Sequence, residues 1–118
     1  MTTARFWIVK PRSTDNTAEV GPVGWRLLAT NNRDLGRSPD TYPDLAACRD
    51  AVLLLQKHAP ALRVVTVRSG PSSWNWRIVD GDRIVAVASR DYQRRIQADQ
   101  AAAVVLGLLP GAELVGLD

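Results

Sequence analysis

The chain of 118 residues has one cysteine, one histidine, one methionine and one phenylalanine, and its apolar runs are short. A single thiol, Cys48, excludes an intramolecular disulfide and gives no sign of an oxidising compartment. With His58 the sole imidazole, too few ligands exist for a His/Cys zinc site, and no His-based nucleophile pair can be assembled. No glycine loop ends in the Lys-Ser or Lys-Thr that cradles phosphates; Gly21-Pro22-Val23-Gly24 lacks the lysine. The acidic residues are Glu19, Glu113 and ten aspartates, most at turns, caps or beside arginines. Sequence periodicity places no pair in a shared apolar pocket that would split their pKa values, so acid–base hydrolysis has no support. These absences describe a non-enzymatic protein with no cofactor and no metal. The first ten residues hold only the four-residue apolar run Phe6–Val9, too short for a signal-peptide core or a membrane span, so a cytoplasmic, non-membrane protein is expected.

Lysine is scarce too. Lys10 and Lys57 stand against thirteen arginines, in a chain of net charge +3 and pI near 9.6. Arginine suits planar recognition of carboxylate or phosphate, yet these are scattered along the chain as a GC-rich genome would scatter them. The net charge permits an acidic partner without supplying a dense phosphate-binding stripe.

What the chain does have is a repetition. Trp25-Arg26, Tyr42 and Pro60 recur as Trp76-Arg77, Tyr92 and Pro110, at offsets of 51, 50 and 50. Two copies, at about 5–60 and about 63–112, are each too small to bury a core alone and should associate into one domain covering 1–118. Arg5–Lys10 finds its counterpart in Arg63–Arg68 at an offset of 58, so the first copy carries a longer connection. This loop, 11–24, is rich in Pro, Gly, Ser and Asn, and reads as exposed and mobile.

The second copy is the more regular. Trp74–Val79 and Ile84–Ser89 flank Asp80-Gly81-Asp82, a strong hairpin signal because Gly81 accepts positive φ. A two-residue turn there puts Trp74, Trp76, Ile78, Val85 and Val87 on one face, with Arg77, Val79, Ile84 and Ala86 on the other. In the first copy Gly24–Ala29 turns at Asn31-Asn32 and returns as Asp34–Ser38; this polar strand with Gly36 predicts an edge or a bulge. Each copy closes with a helix. Asp44 is placed to cap the first, whose stripe is Leu45, Cys48, Val52 and Leu55, and Pro60 ends it. The second, Ile96–Leu109, has little polar face and should be the more buried, with Pro110-Gly111 as its stop. The expected fold is α+β: two tandem β-β-β-α repeats, about six strands in one mostly antiparallel sheet, and two helices packed on one face.

Trp76-Arg77-Ile78-Val79, the turn at Gly81, the return strand, Ser89-Arg90-Asp91-Tyr92 and the Ala-rich helix resemble one repeat of the YegP-like family of small tandem-repeat proteins. Trp25-Arg26, the Asn turn, Ser38 and Tyr42 match the same pattern more loosely, with one residue more between serine and tyrosine. The resemblance spans roughly residues 5–112. It implies a sheet shared by both repeats, helices packed across onto each other's repeat, and a structural role for Trp25, Arg26, Tyr42, Trp76, Arg77, Gly81, Ser89 and Tyr92. It implies no activity and carries over no site residue.

Two patches could bind something. The four tryptophans all fall on strands, where neighbours point to opposite faces, so the tryptophans should fill the core while Arg26 and Arg77 decorate the outer face. Trp74, at a strand start, is the candidate for an exposed stacking ring. Arg90, Arg94 and Arg95 around Tyr92 surround a helix N-terminus, which could hold phosphate or an acidic peptide. His58 reads as a helix C-terminal residue and Cys48 as a small buried hydrophobe. The leading functional reading is an interaction module binding a protein partner or forming a homodimer, through a sheet edge or the repeat-related surface. The alternative is a single-stranded nucleic-acid or anionic-ligand domain using Arg90, Arg94, Arg95, Tyr92 and Trp74.

Overall fold

The computed structural model describes residues 4–9 and 22–115; most of the loop at 11–24 therefore lies outside the described residues. The elements run β1 (Arg5–Val9), β2 (Gly24–Leu28), β3 (Asp34–Arg37), α1 (Leu45–Lys57), a 3-10 turn (Ala59–Ala61), β4 (Arg63–Gly70), β5 (Ser73–Asp80), β6 (Arg83–Val87), α2 (Arg95–Leu108), a second 3-10 turn (Leu109–Gly111) and β7 (Glu113–Val115). The fold is α+β, with one seven-stranded sheet in the order β4-β5-β6-β3-β2-β1-β7. All neighbours are antiparallel except β1 and β7, which run parallel. The repeat pattern predicts about six strands. The seventh, Glu113-Leu114-Val115, is too short to show a period.

Polar β3 is not an edge. It sits mid-sheet, between β2 and β6, and its bulge is real: Leu27 faces Gly36 while Leu28 faces Asp34, leaving Leu35 extra. The same irregularity recurs fifty residues on, where Ile78 faces Ala86 and Val79 faces Ile84, leaving Val85 extra. That bulge corrects the predicted hairpin faces. Past it the alternation flips, so Ala86 is buried in the core and Val87 pairs with outward Arg77. The turn itself matches: Gly81 adopts φ 62°, and Asn32 in the first hairpin adopts φ 67°.

Gly36 is small because a ring lies over it. A Cβ at this position would stand 2.8 Å from Trp76 Cη2 and 3.2 Å from the Val87 carbonyl. Trp76 thus crosses the β6 position to reach β3, and the residue opposite it there, Ala88, whose N–H donates to the Trp76 carbonyl at 3.1 Å, is also small. Trp25, packed edge-on against Phe6 at 5.1 Å between centroids, reaches the other way to line a groove with Ile84 and Val85. Both tryptophans are buried, a burial on the order of 4–6 kcal/mol each at ~25 cal/mol per Å².

One core contains Phe6, Leu27 and Ile78 from the strands, Cys48, Val52 and Leu55 from α1, and Ala98, Ala102 and Val105 from α2. The second helix is therefore no more buried than the first, and Ile96 and Val104 are exposed on it. Its apolar side chains run all round, but only one stripe has strands to pack on. α2 lies over β4 and β5 and touches β3, whereas α1 touches β1 and the turn Leu109–Gly111. Gln56 of α1 fastens that turn, its Nε2 donating to the Leu109 carbonyl at 2.9 Å and the Ala112 carbonyl at 2.8 Å.

Candidate functional site

The face of the sheet opposite the core carries one unbroken row. Register pairing aligns Val115, Trp7, Arg26, Arg37, Val87, Arg77 and Val65, one residue from each strand in spatial order. Facing pairs share a side, so these seven side chains project together. The buried neighbours Phe6, Leu27, Gly36, Ala86 and Ile78 alternate to the other side. Trp7 is 45% exposed, Val65 39%, and all three arginines are exposed.

Strands sit about 4.8 Å apart, so Arg26 and Arg37 are immediate neighbours and Arg77 lies about 10 Å beyond Arg37. Like charges this close disfavour one another unless a partner answers them. Arg26 has a partial answer in Asp34, at 3.4 Å. Among the described residues no carboxylate comes within 4.0 Å of Arg37 or Arg77. A shallow trough of about 470 Å³ runs beside the row, lined by Val9, Gly24, Arg26, Arg37, Ser38 and Val87 among others.

The patch expected around Tyr92 separates into two places. Trp74 is half-buried, with Arg68 over its ring at 5.6 Å and Arg95 at 5.7 Å, so guanidinium groups already occupy its surface. Arg95 also lies 4.0 Å from Asp99. Arg90 turns away from that cluster and stacks over Tyr92 at 5.0 Å. Arg94 occupies the N-cap of α2, where its backbone N–H donates to Gln97 Oε1 at 3.2 Å. The exposed tryptophan is Trp7, not Trp74. Sequence could not choose it, because Phe6, Trp7 and Ile8 put apolar residues on both faces of β1.

The tyrosines and serines of the repeat tie connecting segments to the strands. Tyr42 and Tyr92 each close a two-bond backbone bridge, to Val23 and Trp74 respectively, with N–H to carbonyl distances of 2.7–2.9 Å. Ser38 Oγ accepts from the Trp25 N–H at 3.2 Å, and Ser89 Oγ donates to Asp34 at 2.6 Å. Asp44 caps α1 as expected, accepting from the Ala47 N–H at 2.8 Å. His58 caps the other end and places Nδ1 2.7 Å from Asp80, a link between the two halves that spacing did not suggest. Burial pushes the Tyr42 hydroxyl pKa up, partly offset by a hydrogen bond with Trp25. Burial alone raises the Cys48 thiol, which keeps it protonated and unreactive.

Among the described residues no group of three or more His, Cys, Asp and Glu could hold a metal ion. No helix among them is long and apolar enough to cross a membrane. Comparison with protein-family models, with curated proteins and with solved structures finds no match to this chain.

Proposed function

We propose that this protein is a non-enzymatic interaction module whose outward sheet face docks an acidic protein surface. The row Trp7, Arg26, Arg37, Val87, Arg77 and Val65 carries this reading. It combines the residues that dominate protein interfaces, an exposed tryptophan and arginines, on one face of a seven-stranded sheet with valines in the same row. Arg37 and Arg77, without a carboxylate partner among the described residues, suit carboxylates of a bound protein. A single-stranded nucleic acid needs a succession of stacking rings, and Trp7 is the sole aromatic of this row. The order β-β-β-α taken twice, and both helices contributing to the one core, support a duplicated YegP-like unit with the helices on a single face.

The test is a titration with poly-L-glutamate at low salt, followed by tryptophan fluorescence, alongside a single-stranded oligo-uridylate. Wild-type protein should bind the polypeptide, and the variant Arg26→Glu/Arg37→Glu/Arg77→Glu should bind at least about a hundredfold more weakly, as loss of several charge-assisted contacts implies. Tighter binding of oligo-uridylate, or equal binding by the variant, would contradict the proposal.

A further inference from the structure

The two halves of the chain each form a groove between their helix, their tyrosine and the bulged strand of the other half. In one, Tyr42, Leu54 and Leu55 meet Arg83, Ile84 and Val85; in the other, Tyr92, Val104 and Val105 meet Arg33, Asp34 and Leu35. Every position is matched at an offset of fifty, so each groove is a control for the other. They differ in room and in charge. The Tyr42 groove is about 110 Å³ and its charged lining is Asp40, Asp80 and Arg83. The Tyr92 groove is about 340 Å³ and its charged lining is Arg33, Asp34 and Arg90.

The single acid of the larger groove is already engaged. Asp34 accepts from Ser89 Oγ at 2.6 Å with one oxygen and lies 3.4 Å from Arg26 with the other. Among the described residues, neither Arg33 nor Arg90 has a carboxylate within 4.0 Å. Arg90 is held over the Tyr92 ring at 5.0 Å, which positions its guanidinium at the rim, and Gln97 and Gln100 add hydrogen-bonding side chains. The floor is apolar: Leu35, Ala101 and Val105, with Val104 54% exposed beside them. Where the first half has Asp40 and Leu54, the second has Arg90 and Val104, so the same site has exchanged an acid for a base and a larger side chain for a smaller one.

We propose that the Tyr92 groove binds a small amphipathic carboxylate, its anionic head on Arg90 and Arg33 and its apolar body along Leu35, Ala101 and Val104. The volume lies at the small end of ligand sites, which suits a short-chain or single-ring acid. An arginine pair at the rim supplies the forked donors a carboxylate accepts.

Octanoate serves as the probe, with octylamine and inorganic phosphate as controls, and backbone amide shifts report the position. Octanoate should shift the amides of Leu35, Tyr92 and Ala101 with millimolar affinity, and leave Tyr42 and Val85 still. Arg90→Asp and Val104→Leu restore the residues of the other half at exposed positions. Each should weaken octanoate binding roughly tenfold. No shift at these amides, octylamine or phosphate binding as well as octanoate, or an Arg90→Asp variant that binds unchanged would each overturn the proposal.

Discussion

At the scale of single residues, the chain shows how much a missing atom can specify. Gly36 is required by the ring of Trp76 and not by turn geometry, since its φ is unremarkable and a Cβ would meet that ring at 2.8 Å. Gly36→Ala should therefore cost about 1–3 kcal/mol in denaturant unfolding, an overpacking penalty; an unchanged midpoint would show that the ring can move aside. Caps give the opposite case. Asp44 caps α1, whereas the equivalent position of α2 holds Arg94, which brings no acceptor and opposes the helix dipole. Arg94→Asp should stabilise by about 0.5–2 kcal/mol, and Asp44→Ala should lose a similar amount, both read from thermal or denaturant midpoints. Tyr42 links stability to alkaline pH. Its pKa is raised in the folded state, so its contribution is complete below the unfolded value near 10 and is lost as pH rises through the folded one. Tyr42→Phe should flatten that loss above about pH 10, and an identical alkaline slope in the variant would contradict it.

At the scale of elements, both helices, their stops at Pro60 and Pro110, and the second hairpin were legible from period and punctuation, though not that each stop is a 3-10 turn. Three further things were not. The bulge at Val85 leaves no mark in composition, unlike the one in β3 that polarity and Gly36 announced, yet it decides that Val87 faces outward and Ala86 inward. β3 reads as an edge because polarity and glycine are local signals, whereas its place beside β6 is a long-range fact. β7 owes its place to partners distant in sequence, Arg5–Trp7 of β1 and the Gln56 clamp at its approach. Gln56→Leu leaves two carbonyls without their donor and should cost about 1–3 kcal/mol. Hydrogen exchange is the sharper readout: β7 amides should exchange faster than those of β5 in the variant, and uniform exchange would mean the clamp is dispensable.

At the scale of the whole molecule, the alternation of strands and the duplication of the chain combine to set the outward row. Arg26 and Arg77 on the outer face were readable from their place after a buried tryptophan. Trp7 and Arg37 were not, because their facing depends on β1 pairing with β2 and on β3 standing at the centre. Sequence proximity also suggested one patch from Arg90 to Arg95 with Trp74, where the helix start divides it into a Trp74 cluster and the Tyr92 groove. Together these residues make the arginine row the proposed docking face for an acidic protein surface. The most direct measurement is an amide shift map of the full chain titrated with poly-L-glutamate at low salt. Shifts concentrated on Trp7, Arg26, Arg37, Val87 and Arg77, fading as salt is raised, are the predicted result. Shifts confined to the start of α2, or none in the outward row, would contradict it.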